Sequence, residues 1–180
     1  VNPAPVQHAR RLLRDAAPRV CTVVGFPLGA SRAAVKAFEA ARAIEEGAEE
    51  IDMVMNVGAL LDGALDRVRA DIEGVVEAAG DRIVKVILET EFLDAEGIAA
   101  ACRLSVEAGA RFVKTSTGFA SQGAREDHVR LMREIVGVRA GVKASGGIRD
   151  LRAALAMLKA GANRIGASAG TAIVDALRRP

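Results

Sequence analysis

Short apolar runs alternate with longer, Ala-rich amphipathic stretches along the whole chain, the pattern of parallel strands joined by crossover helices. The apolar runs predict six strands, at 20–26, 50–56, 82–89, 111–115, 141–144 and 163–167. Helices are expected between and after them, at 31–46, 60–79, 94–108, 124–137, 150–160 and 169–178, with another near 5–16. The segments EGAEEIDM, AGARFVKT and AGANRIGA each set Gly-Ala between a helix end and a strand start. They mark a weak βα repeat in which Gly47, Gly109 and Gly161 are expected at helix C-termini.

Alternation within the strands sorts their side chains onto two faces. In 82–89, Val84, Val86 and Leu88 share one face, and Ile83, Lys85, Ile87 and Glu89 the other. The same rule sets Ile51, Met53 and Met55 against Asp52, Val54 and Asn56, and Val113 against Phe112 and Lys114. Helices would cover the aliphatic faces, leaving the charged faces to converge inside a (β/α) barrel near its C-terminal mouth. A doubly wound open sheet is disfavoured. No GxGxxG or GxxxxGK[ST] follows the first strand, and polar residues occur at nearly every strand end rather than at one switch point. An eight-stranded barrel needs two strands more than these runs supply, and Val1-Asn2-Pro3 reads as a strand tail. The expectation is one domain over residues 1–180, a TIM (β/α)8 barrel lacking its first two strands.

At 180 residues and 51% hydrophobic, the chain can bury a substantial core. Charge nearly balances, with 25 basic and 23 acidic residues, and there is no Tyr or Trp on which bases could stack. Nucleic acid is therefore not an expected partner. With no membrane-length apolar run and no signal-peptide pattern, a cytoplasmic location is expected. Cys21 and Cys102 stand apart without metal-ligand spacing, so both are expected as reduced, packed thiols, with no metal site.

The candidate chemistry lies in two lysines. Lys114 in FVKTSTGF and Lys143 in GVKASGGI each interrupt a strand-like run and are followed by small polar residues and glycine. One strand lysine is ordinarily ion-paired or reaches for solvent. Two in matching contexts imply a nucleophilic amine, because burial favours the neutral form and neighbouring ammonium groups repel. At an effective dielectric of about 20, unit charges roughly 4 Å apart repel by about 4 kcal/mol, or about three pKa units. Such a pair points to Schiff-base chemistry on a carbonyl substrate.

FVKTSTGF, VKASGGIR, EEIDMVMNVGAL, VKVILET and RIGASAG, in this spacing, resemble the deoxyribose-phosphate aldolase family over almost the whole chain. The resemblance implies a class I aldolase on a (β/α)8 barrel, acting in deoxyribonucleotide breakdown. The implied reaction is reversible cleavage of 2-deoxy-D-ribose 5-phosphate to D-glyceraldehyde 3-phosphate and acetaldehyde, with no metal or organic cofactor. By the resemblance Lys114 forms the Schiff base, Lys143 lowers its pKa and Asp52 transfers protons. Lys85 matches another active-site lysine, giving electrostatic support on the substrate side. Thr117 with Gly118, Gly146 with Gly147, and Gly166 with Ser168 precede helices where backbone amides can bind phosphate. Ala169 stands where some members carry a second serine, and no tyrosine is present for the C-terminal tail of other members. The partner expected is a small phosphosugar, and the resemblance allows a homodimer. A Schiff-base aldolase for another phosphorylated sugar, or a non-catalytic phosphosugar-binding protein, are the alternatives.

Overall fold

In the computed structural model, which describes residues 1–178, each predicted strand forms and all six join one parallel sheet in sequence order. They are β1 (Cys21–Val24), β2 (Glu50–Val54), β3 (Ile83–Ile87), β4 (Phe112–Lys114), β5 (Gly141–Ser145) and β6 (Arg164–Gly166). The helices are α1 (Val6–Leu12), α2 (Ala33–Glu45), α3 (Val57–Leu61), α4 (Leu65–Ala79), α5 (Ala95–Glu107), α6 (Glu126–Val136), α7 (Leu151–Lys159) and α8 (Gly170–Arg178). The single helix expected at 60–79 is thus two. Asn56 caps α3 by accepting from the Ala59 amide, and the chain turns at Asp62–Ala64, where Gly63 has φ +73°. The helix expected at 5–16 is shorter, ending at Leu12.

The aliphatic strand faces point outward into the helix layer. Ile51, Met53, Val84, Val86, Val113 and Val142 are buried there with Val68, Ile72 and Val75 of α4, Ile98 of α5 and Met132 of α6. At about 25 cal/mol per Å² of apolar surface, each such aliphatic side chain contributes roughly 1.5–3 kcal/mol. The amphipathic periodicity of the helices is what makes this layer possible.

The opposite face curls on itself. A flat sheet would hold β2 and β6 roughly 19 Å apart, at about 4.8 Å per strand. Instead Arg164 Nη1 of β6 lies 2.7 Å from Glu50 Oε2 of β2, and Lys143 Nζ of β5 lies 2.7 Å from Asp52 Oδ2. The six strands therefore form a half-barrel whose concave side carries the charged residues. Val1 runs beside β1, its amino group donating to the Cys21 carbonyl at 2.8 Å.

Candidate active site

The strand register brings the two lysine motifs side by side. Lys114 pairs with Lys143 across β4 and β5. Beyond it, Thr115 Oγ1 donates to the Ser145 carbonyl at 2.9 Å and accepts from the Ser145 amide at 3.0 Å, while Ser145 Oγ donates to the Ser116 carbonyl at 2.7 Å. The small polar residues after each lysine thus stitch the two strand ends together.

Asp52 is the hub. Its Oδ2 accepts from Lys114 at 2.9 Å and from Lys143 at 2.7 Å; its Oδ1 accepts from Lys85 at 2.7 Å and from the Cys21 thiol at 3.2 Å. All of this lies below the surface: Asp52 is 2% exposed, Lys85 1% and Lys114 7%. Burial alone would raise the Asp52 pKa, but Lys114, Lys143 and Lys85 together hold it far below the usual carboxylate range. Burial pushes Lys114 below the ordinary amine range against the pull of Asp52, and the Lys143 charge adds to the lowering. Lys85 goes the other way, because Asp52 and its other partners outweigh burial and raise it. Lys114 is therefore biased toward the neutral, nucleophilic form and Lys85 toward the charged one.

Above this cage opens a cavity of about 390 Å³ lined by Lys114, Lys143, Thr117, Gly118, Gly146, Gly147, Gly166 and Ser168, together with Ser145 and Arg149. Gly146 and Gly147 have φ of +89° and +74°, a left-handed pair that only glycine adopts without strain. Gly166 is small for a steric reason, since a Cβ there would meet Ser145 Cβ at 2.8 Å and Lys143 Cε at 3.2 Å. The expected phosphate residues are all gathered here except Lys85, which does not line the cavity. It lies underneath, 2.7 Å from both Asp52 and Glu50. Asp150 and its accepted bond from the Ala153 amide start α7 just beyond the glycine pair.

Several residues at the site were not expected. Cys21, read as an isolated packed thiol, faces inward beside Asp52 and Lys85; burial and the Asp52 charge raise its pKa, so it stays a neutral thiol. Its only sequence signal was its place on the inward-facing parity of β1. Arg149 follows the glycine pair and adds a cation to the rim. Glu89, placed by the sequence on the charged face, has left-handed backbone (φ +52°) and accepts from the Thr117 amide and hydroxyl, so it holds the KTSTGF loop. Glu50, Phe112 and Arg164 form the floor, with the Arg164 guanidinium 4.5 Å over the Phe112 ring. Among the described residues no group of three or more His, Cys, Asp or Glu could hold a metal ion, and no helix is long and apolar enough to cross a membrane.

The DeoC/LacD family aldolase profile matches residues 3–176. The chain is 60% identical over 175 residues to the deoxyribose-phosphate aldolase of Exiguobacterium sibiricum, covering 97% of this chain and 79% of the relative. It is 55% identical over 177 residues to that of Staphylococcus carnosus, covering 98% and 80%. Among solved structures, the tetrameric deoxyribose phosphate aldolase of Aeropyrum pernix superposes with a TM-score of 0.90 at 33% identity, covering 98% of this chain and 75% of that one. The chain belongs to the DeoC/LacD aldolase family.

Proposed function

We propose that the protein is a deoxyribose-phosphate aldolase that cleaves 2-deoxy-D-ribose 5-phosphate through a Schiff base on Lys114. The observation that carries this is a buried lysine of lowered pKa, sharing one carboxylate oxygen with a second lysine at the foot of a glycine-lined, cationic cavity. The named relatives support the substrate.

In this reading the phosphate sits on the Gly118, Gly146–Gly147 and Gly166–Ser168 backbone, with Arg149 at the rim, and the open-chain aldehyde reaches Lys114. Neutral Lys114 Nζ attacks the aldehyde carbon, and loss of water leaves an iminium. Removal of the proton from the 3-hydroxyl then breaks the C2–C3 bond, releasing glyceraldehyde 3-phosphate, while the iminium accepts the electron pair as an enamine. Protonation at carbon and hydrolysis free acetaldehyde and return Lys114. Asp52 and Lys143, bonded to each other at 2.7 Å beside Lys114, relay these protons. Lys85 stays charged below.

The same proposal takes the six strands as the last six of an eight-stranded barrel. The chain spans about 80% of the relatives' length, and β1 and β6 are the two edges of the curled sheet. A homo-oligomer and a cytoplasmic setting go with the family reading; sedimentation would measure the first.

The test is borohydride trapping with acetaldehyde followed by peptide-mapped mass. A single ethyl adduct on Lys114 is expected, and an adduct elsewhere, or none in folded protein, overturns the assignment. Lys114→Ala is expected to abolish turnover and trapping while leaving inorganic phosphate binding within about twofold.

A further inference from the structure

The proposed chemistry leaves Glu50 without a task, although it is only 6% exposed on the concave face. Its Oε2 accepts from Lys85 at 2.7 Å and from Arg164 at 2.7 Å, with Arg19 Nη1 3.8 Å from Oε1. Lys85 spans the gap to Asp52, so a chain of charge runs up the barrel axis: Arg164, Glu50, Lys85, Asp52, then Lys114 and Lys143. Arg164 is itself seated on Phe112, whose ring fills the space over Gly141, where a Cβ would meet it at 2.2 Å.

We propose that Glu50, shared with Arg164 from across the half-barrel, is a positioning residue that holds Lys85 beneath Asp52 and so leaves the Asp52 Oδ2 oxygen to Lys114 and Lys143. The two oxygens of Asp52 divide their work. Oδ1 takes the donors from the floor, Lys85 and Cys21; Oδ2 takes the two lysines of the cavity. That division requires a second anion at depth, since Lys85 would otherwise have Asp52 as its one close carboxylate. Glu50 supplies it. Burial would raise the Glu50 pKa, but its bonds from Lys85 and Arg164 hold it lowered, so it is an anion at neutral pH.

Lys114 is where the effect is read, and this rests on its role as the nucleophile. It faces Asp52 from β2, Lys143 from β5, Lys85 from β3 and Cys21 from β1. Glu50 faces Lys85 from β3, Arg164 from β6 and Arg19 ahead of β1, while Glu89 is engaged by Thr117. Removing the Glu50 charge draws Asp52 toward Lys85 and makes the interior more positive, so Lys114 loses its proton at lower pH. Removing the Arg164 charge frees Glu50 for Lys85 and makes the interior more negative, so Lys114 keeps its proton to higher pH. Two charges acting on Lys114 only through their fields would cancel when both are removed, whereas a Glu50 that positions Lys85 leaves Arg164 with little further effect once Glu50 is gone.

The experiment is a titration of Lys114 by NMR in protein carrying lysine labelled at Cε, its signal identified by its loss in a Lys114 variant. Glu50→Gln is expected to lower the Lys114 midpoint and Arg164→Met to raise it, each by about half a pH unit or more, with the double variant staying close to Glu50→Gln because Arg164 acts through Glu50; a double variant back at the wild-type midpoint would mean two charges that simply cancel and would overturn the positioning role. The acid limb of kcat for deoxyribose 5-phosphate cleavage should move in the same directions. Unmoved midpoints, or shifts of the same sign in both variants, overturn the proposal. If Glu50→Gln does not fold, Arg164→Met decides alone: an upward shift supports the proposal, and no shift or a downward one refutes it. Opposite shifts in a protein whose Lys114 cannot be trapped by borohydride would refute the aldolase reading and leave the positioning role standing; trapping with unmoved midpoints would do the reverse.

Discussion

At the residue scale, the site turns on how one oxygen is shared. Lys114 and Lys143 both bond Asp52 Oδ2, at 2.9 and 2.7 Å, so their nitrogens lie within about 6 Å of each other. At an effective dielectric of about 20 that proximity is worth about 3 kcal/mol of repulsion, opposed by the shared anion. Lys143→Met removes the repulsion and leaves Oδ2 to Lys114 alone, and both changes favour the protonated amine. Because imine formation needs the neutral form, the acid limb of the trapping rate should shift to higher pH by about 1–2 units, measured as borohydride adduct against pH. A limb that stays in place would remove Lys143 from the tuning of Lys114. Strand alternation and the similar contexts, each lysine followed by two or three small residues and then glycine, made Lys114, Lys143 and Asp52 legible in the sequence. Glu50 and Arg164 were not, because they are 114 positions apart and meet only once the sheet has curled. Cys21 carried no motif beyond its inward parity on β1, while Cys102 lies in the helix layer with its pKa pushed up to about 12 by burial.

At the element scale, α2 and α4 are pinned to the end of β2 by a buried pair. Lys36, fully buried, donates to Asp71 at 2.5 Å and to the Val54 carbonyl at 2.9 Å. Burial moves both groups toward their neutral forms, lowering Lys36 and raising Asp71, so the pair is held by geometry more than by net electrostatic gain. Removing one partner leaves the other buried alone. Asp71→Asn is therefore expected to cost about 3 kcal/mol or more, and Lys36→Met with Asp71→Leu appreciably less than that single change, by urea unfolding. A double variant as unstable as the single would mean that the pair's hydrogen bonds, including that to Val54, dominate. The sequence placed Lys36 inside an expected helix but offered no reason to bury it, since its partner sits one βα unit later. The break between α3 and α4 was within reach: Asp62-Gly63 is a turn signal, but it lies inside an apolar periodicity that runs through it.

At the scale of the whole molecule, burial is uneven along the sheet. Strands β2 and β3 are almost wholly buried, whereas every residue of β6 is half-buried and α8 has none that is fully buried. Between α7 and α8 runs an apolar trough of about 260 Å³ that includes Leu155, Leu158, Ile173, Val174 and Leu177. In this chain the α8 amides should exchange with solvent deuterium well before those of β2 and β3, read by hydrogen exchange; equal protection would mean that an assembly covers the trough. The cavity is built largely at this less buried side, from the ends of β4, β5 and β6, while Asp52 belongs to the firm one. Lys114 and the glycine cradle open into the same 390 Å³. On the proposed mechanism that lysine passes from neutral amine to iminium, to neutral enamine, and through a second iminium back to the amine, so the space gains and loses a positive charge twice per cycle. In that reading a phosphate dianion seated beside it favours the iminium stages and leaves with the glyceraldehyde fragment once the enamine nitrogen is neutral. The phosphate would then be more than a handle: it stabilises the iminium that precedes cleavage, and a sugar without it should form less Schiff base even when saturating.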